Sequence, residues 1–526
     1  MRWIALFAAL VLLDASVTFE NAWPTPAVRW HGALSIELVV CLLAMVIVRR
    51  WSGPSSRAAI GWLSTIWTAL VIGRYAEVTA PALYGRDINL YWDLRFIPDV
   101  VAMVTRVAPA WLVVLSTAAA LLILALLYLL LRMAWLIVGI TMADHRQRRV
   151  LIVLPAAALV LFVAPRVSAQ VGGADVFAAP VTRTYARQVK FVAAALAGSR
   201  TLAESPAMNS DLSRVQGADV FIVFVESYGA ISLERPEIAR PLAAAFAQFD
   251  AAIRDTRRDV VSALVESPTF GGSSWLAHIS LLSGIEVRDP DTNRKLMTAH
   301  RDTLVRAFGR RGFRTVALMP GLRQNWPEGA FYGFDEIYGA DRLDYRGPEF
   351  GWFAIPDQYS LARFDALEAA RGSTSPRFVF FPTISTHFPF SPTPPYQPDW
   401  RRMFTERPYD GPEIVRAYAR QPDWTDFRPG YVDAMSYDLA SIGGYLRKQA
   451  GRDFVMVVLG DHQPAAAVSG EGAAWDVPVH VIASRAAVLD RLRAGGFRNG
   501  LLPLRPAIGH MHTLLTVLLH AFGDTE

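Results

Sequence analysis

The chain has 526 residues, of which 52% are hydrophobic and only 19% are charged, and its formal net charge is +5. This composition is too apolar for a purely soluble protein of such length. The small basic excess forms no basic stripe, so nucleic acid is not an expected partner. A single cysteine, Cys41, excludes an internal disulfide framework and a metal site built from several cysteines.

Five apolar runs in the first third of the chain predict a membrane domain. Each run is near the length of about 17–25 residues that crosses a bilayer as a helix. A cleaved signal peptide is the alternative for the first run, but no small-residue cleavage site follows it, so we expect a retained helix. The runs lie at residues 3–19, 33–48, 59–72, 110–131 and 150–164.

Arginine placement predicts the orientation of these helices. If all five runs span, the arginines at positions 2, 49, 50, 57, 146, 148 and 149 fall on one side. The positive-inside rule then places the N-terminus in the cytoplasm and the chain after the fifth helix outside. Residues 167–216 are predicted to be a connector, in which residues 183–196 are amphipathic enough to lie along the membrane surface.

After the connector, short apolar runs alternate with helical patterns. This alternation predicts an α/β domain with a mostly parallel central sheet. The predicted organisation is a membrane domain of about five helices at residues 1–166, the connector, and a catalytic domain at residues 217–526. The predicted strands are residues 220–226, 259–265, 314–320, 377–383, 454–460 and 477–483.

The residues at the carboxyl ends of these strands indicate a metal site. Glu226 follows the first strand, and the pair Asp461 and His462 follows the fifth strand. In a parallel sheet these ends meet at one edge, where ligands bind. Two carboxylates and a histidine suit one divalent cation.

A serine and two histidines are expected at the same edge. Ser274 begins a predicted helix after two glycines, where the helix dipole favours an anion. His278 lies four residues later and therefore on the same helix face. His387 follows the fourth strand in the stretch Ser-Thr-His-Phe-Pro.

These motifs resemble the alkaline phosphatase/sulfatase superfamily, in the membrane-bound branch of lipoteichoic acid synthases and phosphoethanolamine transferases. The resemblance implies one divalent metal, Mn, Mg or Zn, held by Glu226, Ser274, Asp461 and His462. A Leu-Leu-Ser-Gly stretch at residues 281–284 places the nucleophile at Ser274, with Ser273 as the alternative. His387 matches a histidine that family members use near the phosphate. A second metal, through His278 or the His-Met-His stretch at residues 510–512, is left open.

Two departures from the family narrow the expected chemistry. Residues 274–278 lack the proline and arginine that accompany formylglycine formation in sulfatases, so an unmodified serine is favoured. The His-Gly-Asp stretch that lipoteichoic acid synthases use for substrate has no counterpart. In the corresponding region, residues 319–326, Arg323 and Trp326 are the candidates for contacts with a phosphate or a glycerol.

The expected function is that of a membrane-anchored phosphotransferase of the bacterial inner membrane, with its catalytic domain on the outer side. A phospholipid would donate a phosphoglycerol or phosphoethanolamine headgroup through a phospho-Ser274 intermediate to a glycan or lipid of the cell envelope. His387 or His278 would stabilise the phosphoryl oxygens or protonate the leaving oxygen.

Two other classes of function remain as alternatives. A sulfatase-like hydrolase, acting on a phosphodiester or on a sulfate or phosphate ester, differs from a transferase only in that water attacks in the second step. A non-catalytic membrane assembly module would be expected to lack one of the metal ligands, whereas all four are present. A transporter is disfavoured because the apolar runs contain few charges, such as Asp14 and Glu37.

Overall fold

The computed structural model describes residues 2–22, 25–53, 56–98, 101, 110–167, 176–197, 202–324, 326–372 and 375–524. Within it the chain forms two compact units, Met1–Ser199 and Arg200–Glu526. The first unit is almost entirely helical, and the second contains one large sheet covered by helices.

In the first unit a helix covers each of the five predicted apolar runs. Two segments, Ala110–Thr141 and His145–Ala164, are long and apolar enough to cross a membrane by length and composition. The helices are α1 (Arg2–Thr18), α2 (Ile36–Ser52), α3 (Arg57–Tyr84), α4 (Leu90–Asp93), α5 (Ala110–Thr141), α6 (His145–Val167) and α7 (Val181–Ala197); a 3₁₀ turn (Leu94–Phe96) and the strands β1 (Glu20–Asn21) and β2 (Val28–Arg29) complete the unit.

Helix α7 corresponds to the predicted amphipathic segment, and two carboxylates of neighbouring helices hold its first turn. Glu37 of α2 accepts hydrogen bonds from the backbone amide and the hydroxyl of Thr182, at 3.1 and 3.3 Å. Glu77 of α3 accepts from the hydroxyl of Thr184 at 2.7 Å. The free amides of a helix N-terminus favour such negative partners. The polar residues within the apolar part of the chain therefore fasten α7 to its neighbours.

The second unit is built on an eight-stranded sheet in the order β10-β4-β9-β8-β3-β7-β5-β6. Strands β8, β3, β7, β5 and β6 are parallel to one another, which confirms the predicted mostly parallel sheet. Strand β9 is antiparallel to both β8 and β4, so β4 runs in the same direction as the parallel set. The strands are β3 (Asp219–Val225), β4 (Asp259–Glu266), β5 (Arg314–Leu318), β6 (Glu336–Tyr338), β7 (Arg377–Pro382), β8 (Phe454–Gly460), β9 (Asp476–Ala483) and β10 (Arg498–Asn499).

Helices cover both faces of this sheet because its central strands are apolar on both sides. In β3, Ile222 and Phe224 face one hydrophobic core and Phe221 and Val223 face the other. The helices are α8 (Ile231–Glu234), α9 (Pro236–Asp255), α10 (Ser274–Ser283), α11 (Pro290–Thr298), α12 (Leu304–Arg310), α13 (Gly329–Tyr332), α14 (Ala340–Leu343), α15 (Asp357–Arg371), α16 (Gly411–Ala419), α17 (Arg428–Lys448), α18 (Ala466–Ser469), α19 (Ala486–Ala494) and α20 (Met511–Phe522), with a 3₁₀ turn at Trp400–Phe404.

A buried histidine links three segments of the second unit. His480 lies in β9 opposite Ser262 of β4 and is 1% exposed. The Ser262 hydroxyl donates to the carbonyl of Gly500 at 2.6 Å, so it accepts from His480 Nδ1 at 2.7 Å. His480 Nε2 is then the acceptor for the Tyr228 hydroxyl at 2.8 Å. The imidazole is therefore held neutral in one tautomer.

This network makes the folded protein sensitive to acid. Burial lowers the pKa of His480 from 6.5 to about 3. Between these values the unfolded chain binds a proton that the folded chain does not, so stability falls as the pH decreases from about 6.5 towards 3. The expected loss from this one residue is about 1.4 kcal/mol of unfolding free energy per pH unit.

The variant His480→Gln, which retains a donor and an acceptor, is expected to show a shallower decline of melting temperature between pH 6 and 4. The measurement is thermal unfolding of the full chain in detergent and chelator at several pH values. If the melting temperature falls equally steeply with decreasing pH in the variant and in the wild type, His480 is not the source of the acid sensitivity.

Candidate active site

The register of β3 and β8 places two carboxylates side by side. Val225 pairs with Gly460 at the ends of these parallel strands. Glu226 and Asp461, the residues that follow the two strands, are therefore neighbours. The backbone amide of Ser227 donates to Asp461 Oδ1 at 2.8 Å. A Cβ atom on Gly460 would lie 1.8 Å from the carbonyl oxygen of Tyr228, so this close approach of the two strand ends requires glycine.

Ser274 reaches the same point from the first turn of α10. The turn before the helix has positive φ angles at Gly272 (143°) and Ser273 (62°), which direct the chain sharply into the helix. The Ser274 hydroxyl donates to Glu226 Oε2 at 2.7 Å and lies 3.2 Å from His462 Nε2. Ser273 is the N-cap residue, and its side chain makes no capping hydrogen bond.

The donor set fits a divalent cation. Ligand atoms of Glu226, Asp461 and His462 all lie within 4.8 Å of one another. Asp461 Oδ2 is buried and, among the residues that the structure describes, has no hydrogen-bond partner. Nδ1 of His462 lies 2.7 Å from the carbonyl of Gln463, an arrangement that leaves Nε2 available as a ligand. Two carboxylates, an imidazole and a serine hydroxyl suit a hard or borderline metal.

The electrostatics of the cluster also favour a cation. Burial alone would lower the pKa of His462, but the charge of Asp461 and the hydrogen bond and charge of Glu226 outweigh it and raise the pKa to about 9. Burial acts to raise the pKa of Glu226, yet the hydrogen bond and charge of His462 hold it well below its ordinary value. Burial and the charge of Glu226 raise the pKa of Asp461. A metal ion would replace the proton on His462 as the partner of both carboxylates.

The two other predicted catalytic histidines have different surroundings. His387 lies in the turn after β7, where Nδ1 is 2.7 Å from the Phe388 carbonyl. His278 packs between the rings of Phe224 and Phe380, with centroid distances of 4.6 and 5.4 Å. Burial lowers the pKa of His278 to about 3, so near pH 7 its imidazole is neutral and does not carry a charge to a phosphoryl group.

Residues proposed for substrate contacts or a second metal lie in other segments. Arg323 follows β5 at the same sheet edge, is exposed, and donates to the carbonyl of Trp352 at 3.1 Å. The Trp326 ring packs on Tyr332 at a centroid distance of 5.3 Å, a contact typical of a core aromatic residue. The rings of His510 and His512 stack on each other, and His510 Nδ1 lies 3.5 Å from Oε2 of Glu266.

One supporting residue was missed by the sequence analysis. The hydroxyl of Thr383, the first residue after β7, accepts a hydrogen bond from the backbone amide of Glu226 at 3.1 Å. The threonine was read only as the end of a strand. Its place at a carboxyl strand end beside β3 is the signal that could have identified it, since such positions border the ligand site.

A comparison with protein families matches part of the second unit to a known family. Residues 278–481 match the model of the family described as Sulfatase. The match includes His387, Asp461 and His462, whereas Glu226 and Ser274 precede it. This match covers less than half of the chain, and over those residues it confirms the predicted resemblance to the alkaline phosphatase/sulfatase superfamily. No curated protein matches the chain.

Several solved structures are similar to this chain over half of its length or more. The lipoteichoic acid synthase LtaP from Listeria monocytogenes shows 14% identity and a TM-score of 0.37, over 64% of this chain and 80% of its own. The phosphoglycerol transferase GacH from Streptococcus pyogenes shows 12% identity and a TM-score of 0.37, over 64% and 80%. The integral membrane phosphoethanolamine transferase EptA from Neisseria meningitidis shows 16% identity and a TM-score of 0.44, over 94% and 89%.

Proposed function

We propose that the protein is a membrane-anchored, metal-dependent phosphotransferase that moves a phospholipid headgroup to an acceptor in the cell envelope. The observation that carries the proposal is the position of the Ser274 hydroxyl, which is hydrogen-bonded to Glu226 and adjacent to His462. Beside this hydroxyl, the buried Asp461 Oδ2 accepts no hydrogen bond within the described part of the chain. A nucleophile and a set of metal ligands therefore share one point.

The metal would be held by Glu226, Asp461 and His462, with Ser274 as the fourth ligand; Mn, Mg and Zn all suit these donors. When bound, such a cation lowers the pKa of a coordinated hydroxyl and offsets negative charge on a phosphoryl group. A second ion, bound near His278 or His510, belongs to the same proposal.

In the first step, the Ser274 oxygen forms a bond to the phosphorus of the donor, and the bond from phosphorus to the diacylglycerol oxygen breaks. The serine proton passes to Glu226 Oε2, to which the hydroxyl is hydrogen-bonded, and a proton must reach the diacylglycerol oxygen. His387, in the turn after β7, is the group assigned to that transfer. His278 donates a hydrogen bond to a phosphoryl oxygen, and Arg323 and Trp326 contact the headgroup.

In the second step, a hydroxyl oxygen of an envelope glycan or lipid attacks the same phosphorus, and the bond to Ser274 breaks. The serine oxygen regains a proton and the acceptor loses one. The transferred group is phosphoglycerol or phosphoethanolamine. Attack by water instead would make the protein a phosphodiesterase.

The proposal includes a membrane domain of five spanning helices, residues 1–166, joined by a connector to the catalytic domain, residues 217–526. Five helices of the first unit and the arginines at their predicted inner ends support this arrangement. The catalytic domain then lies outside the bacterial inner membrane. There the lipid donor would reach the site by lateral diffusion.

The test is peptide mass spectrometry after incubation with phospholipids. The full chain is loaded with Mn²⁺ in detergent, mixed with phosphatidylglycerol or phosphatidylethanolamine, and quenched in acid. A phosphoglycerol or phosphoethanolamine adduct on Ser274 is the expected result, and its mass names the donor. If Ser274 stays unmodified and both lipids stay intact, the lipid-transferase proposal is wrong, and sulfate and phosphate monoesters become the substrates to assay.

A further inference from the structure

Two buried carboxyl groups lie behind the segment that carries His387. Asp357 is the first residue of α15 and Asp438 lies in the middle of α17; they are 1% and 0% exposed. Their side chains are within hydrogen-bonding reach of each other. Two ionised carboxylates in contact inside a protein repel each other strongly, so this pair requires an explanation.

Asp357 is surrounded by hydrogen-bond donors. Its Oδ2 accepts from the backbone amides of Ile384 and Ser385 at 3.0 and 2.6 Å, and Oδ1 lies 3.1 Å from the Ile384 amide. These donors favour the ionised form of Asp357. The carboxylate therefore fixes the backbone of the segment that follows β7.

Asp438 has one satisfied oxygen and one that lacks a donor. Its Oδ2 accepts from the hydroxyls of Thr383 and Thr386 at 2.9 and 3.2 Å. Its Oδ1 is buried, and no donor in the described part of the chain contacts it. An acceptor buried without a partner is costly, whereas a proton on that oxygen would make it a donor to Asp357.

We propose that Asp438 is protonated on Oδ1 and donates to the Asp357 carboxylate, and that this singly charged pair positions residues 383–387 and, through Thr383, Glu226. The link to Glu226 is its backbone amide, which donates to the same Thr383 hydroxyl that donates to Asp438. Asp357 and Asp438 are thus positioning residues. The inference rests on the proposed function only in that Glu226 is taken as a metal ligand.

The directions of the pKa shifts agree with this arrangement. Burial raises the pKa of Asp357 to about 6. Burial and the charge of Asp357 raise the pKa of Asp438 well above its ordinary value. Near pH 7 the pair then holds one proton, on Asp438.

Asparagine substitutions separate this proposal from a general role in folding. In Asp438→Asn or Asp357→Asn, the new amide nitrogen can donate the bond that the shared proton made, while the amide oxygen keeps the bonds to residues 383–386. In the double variant, two amide nitrogens face each other with no acceptor between them. The single variants should therefore be tolerated and the double variant should not.

The readouts are the Mn²⁺ dissociation constant, from electron paramagnetic resonance titration of the full chain in detergent, and the melting temperature. We expect each single variant to bind Mn²⁺ within about threefold of the wild type, and the double variant to bind about tenfold or more weakly. Asp438→Ala, which removes the acceptor of both threonines, should resemble the double variant. Recovery of affinity in Asp438→Asn relative to Asp438→Ala would support positioning by the hydrogen bonds.

Asp365→Asn is the matched control, because Asp365 lies on α15, as Asp357 does, but accepts hydrogen bonds from Tyr445 and Gln449 instead. It should leave the Mn²⁺ affinity unchanged even if the melting temperature falls. If the losses of Mn²⁺ affinity in the two single variants add up to the loss in the double variant, the proposal of a shared proton is wrong. Unchanged affinity in the double variant and in Asp438→Ala would overturn the positioning role. A wild type that binds no metal would instead refute the proposed function.

Discussion

Replacing Ser274 with alanine is expected to lower phospholipid turnover by a factor on the order of 10³ or more, because it removes the hydroxyl that is proposed to form the covalent intermediate. Of the two adjacent serines, Ser273 and Ser274, only Ser274 has a hydroxyl that is bonded to Glu226 and adjacent to His462. The measurement is release of diacylglycerol from labelled phosphatidylglycerol and phosphatidylethanolamine by the Mn²⁺-loaded full chain.

Ser273→Ala is the matched control for this substitution. Ser273 precedes the helix and makes no capping hydrogen bond, so its variant should keep activity within a few-fold of the wild type. Ser274→Ala should still bind Mn²⁺, more weakly, through the three remaining ligands. A fully active Ser274→Ala variant, or an inactive Ser273→Ala variant with an active Ser274→Ala partner, would show that the nucleophile is misassigned.

Asp461→Asn is expected to abolish the stabilisation of the protein by metal. A ligand that binds only the folded state at 100 times its dissociation constant stabilises it by about 2.7 kcal/mol. The substitution replaces the buried Oδ2, which accepts no hydrogen bond within the described residues, with a nitrogen that cannot coordinate a cation. Thermal unfolding of the full chain with and without Mn²⁺ should show that the metal raises the melting temperature of the wild type only.

Without metal the same variant should have a melting temperature close to that of the wild type. Its remaining oxygen can keep the bonds from the backbone amides of Ser227 and His462, and the loss of repulsion from Glu226 is offset by the loss of attraction to His462. Asp453→Asn provides the control, because Asp453 precedes the opposite end of β8 and pairs with the exposed Arg485. If Asp461→Asn retains the metal-dependent rise, Asp461 is not a ligand.

The central strands could be predicted from the sequence because burial on both faces produces continuous apolar runs. The runs that predicted β3 and β8 match the observed strands to within one residue. Strands β6 and β10, of three and two residues, were missed, since segments this short carry no periodic signal. They lie at the two edges of the sheet, where pairing with a neighbour decides the conformation.

The site was predictable in part for a related reason. Glu226, Asp461 and His462 directly follow apolar strands, and a shared sheet direction brings such ends together. The Asp357–Asp438 pair was not predicted, because its members lie on two helices whose packing the local sequence does not determine. For Asp438, a lone acid on an otherwise buried stretch of α17 was the available signal.

The pairing of β3 with β8 also has a consequence for the order of folding. Ser227 and Asp461 are in contact although 234 positions separate them along the chain. The proposed metal ligands therefore cannot come together until most of the second unit has been synthesised and β8 has joined the sheet. Contacts of such long range form slowly, since a long loop must close before they stabilise the chain. An emerging polypeptide that ends before β8 cannot hold a metal ion between these strands, so ion capture is expected to be a late event in maturation.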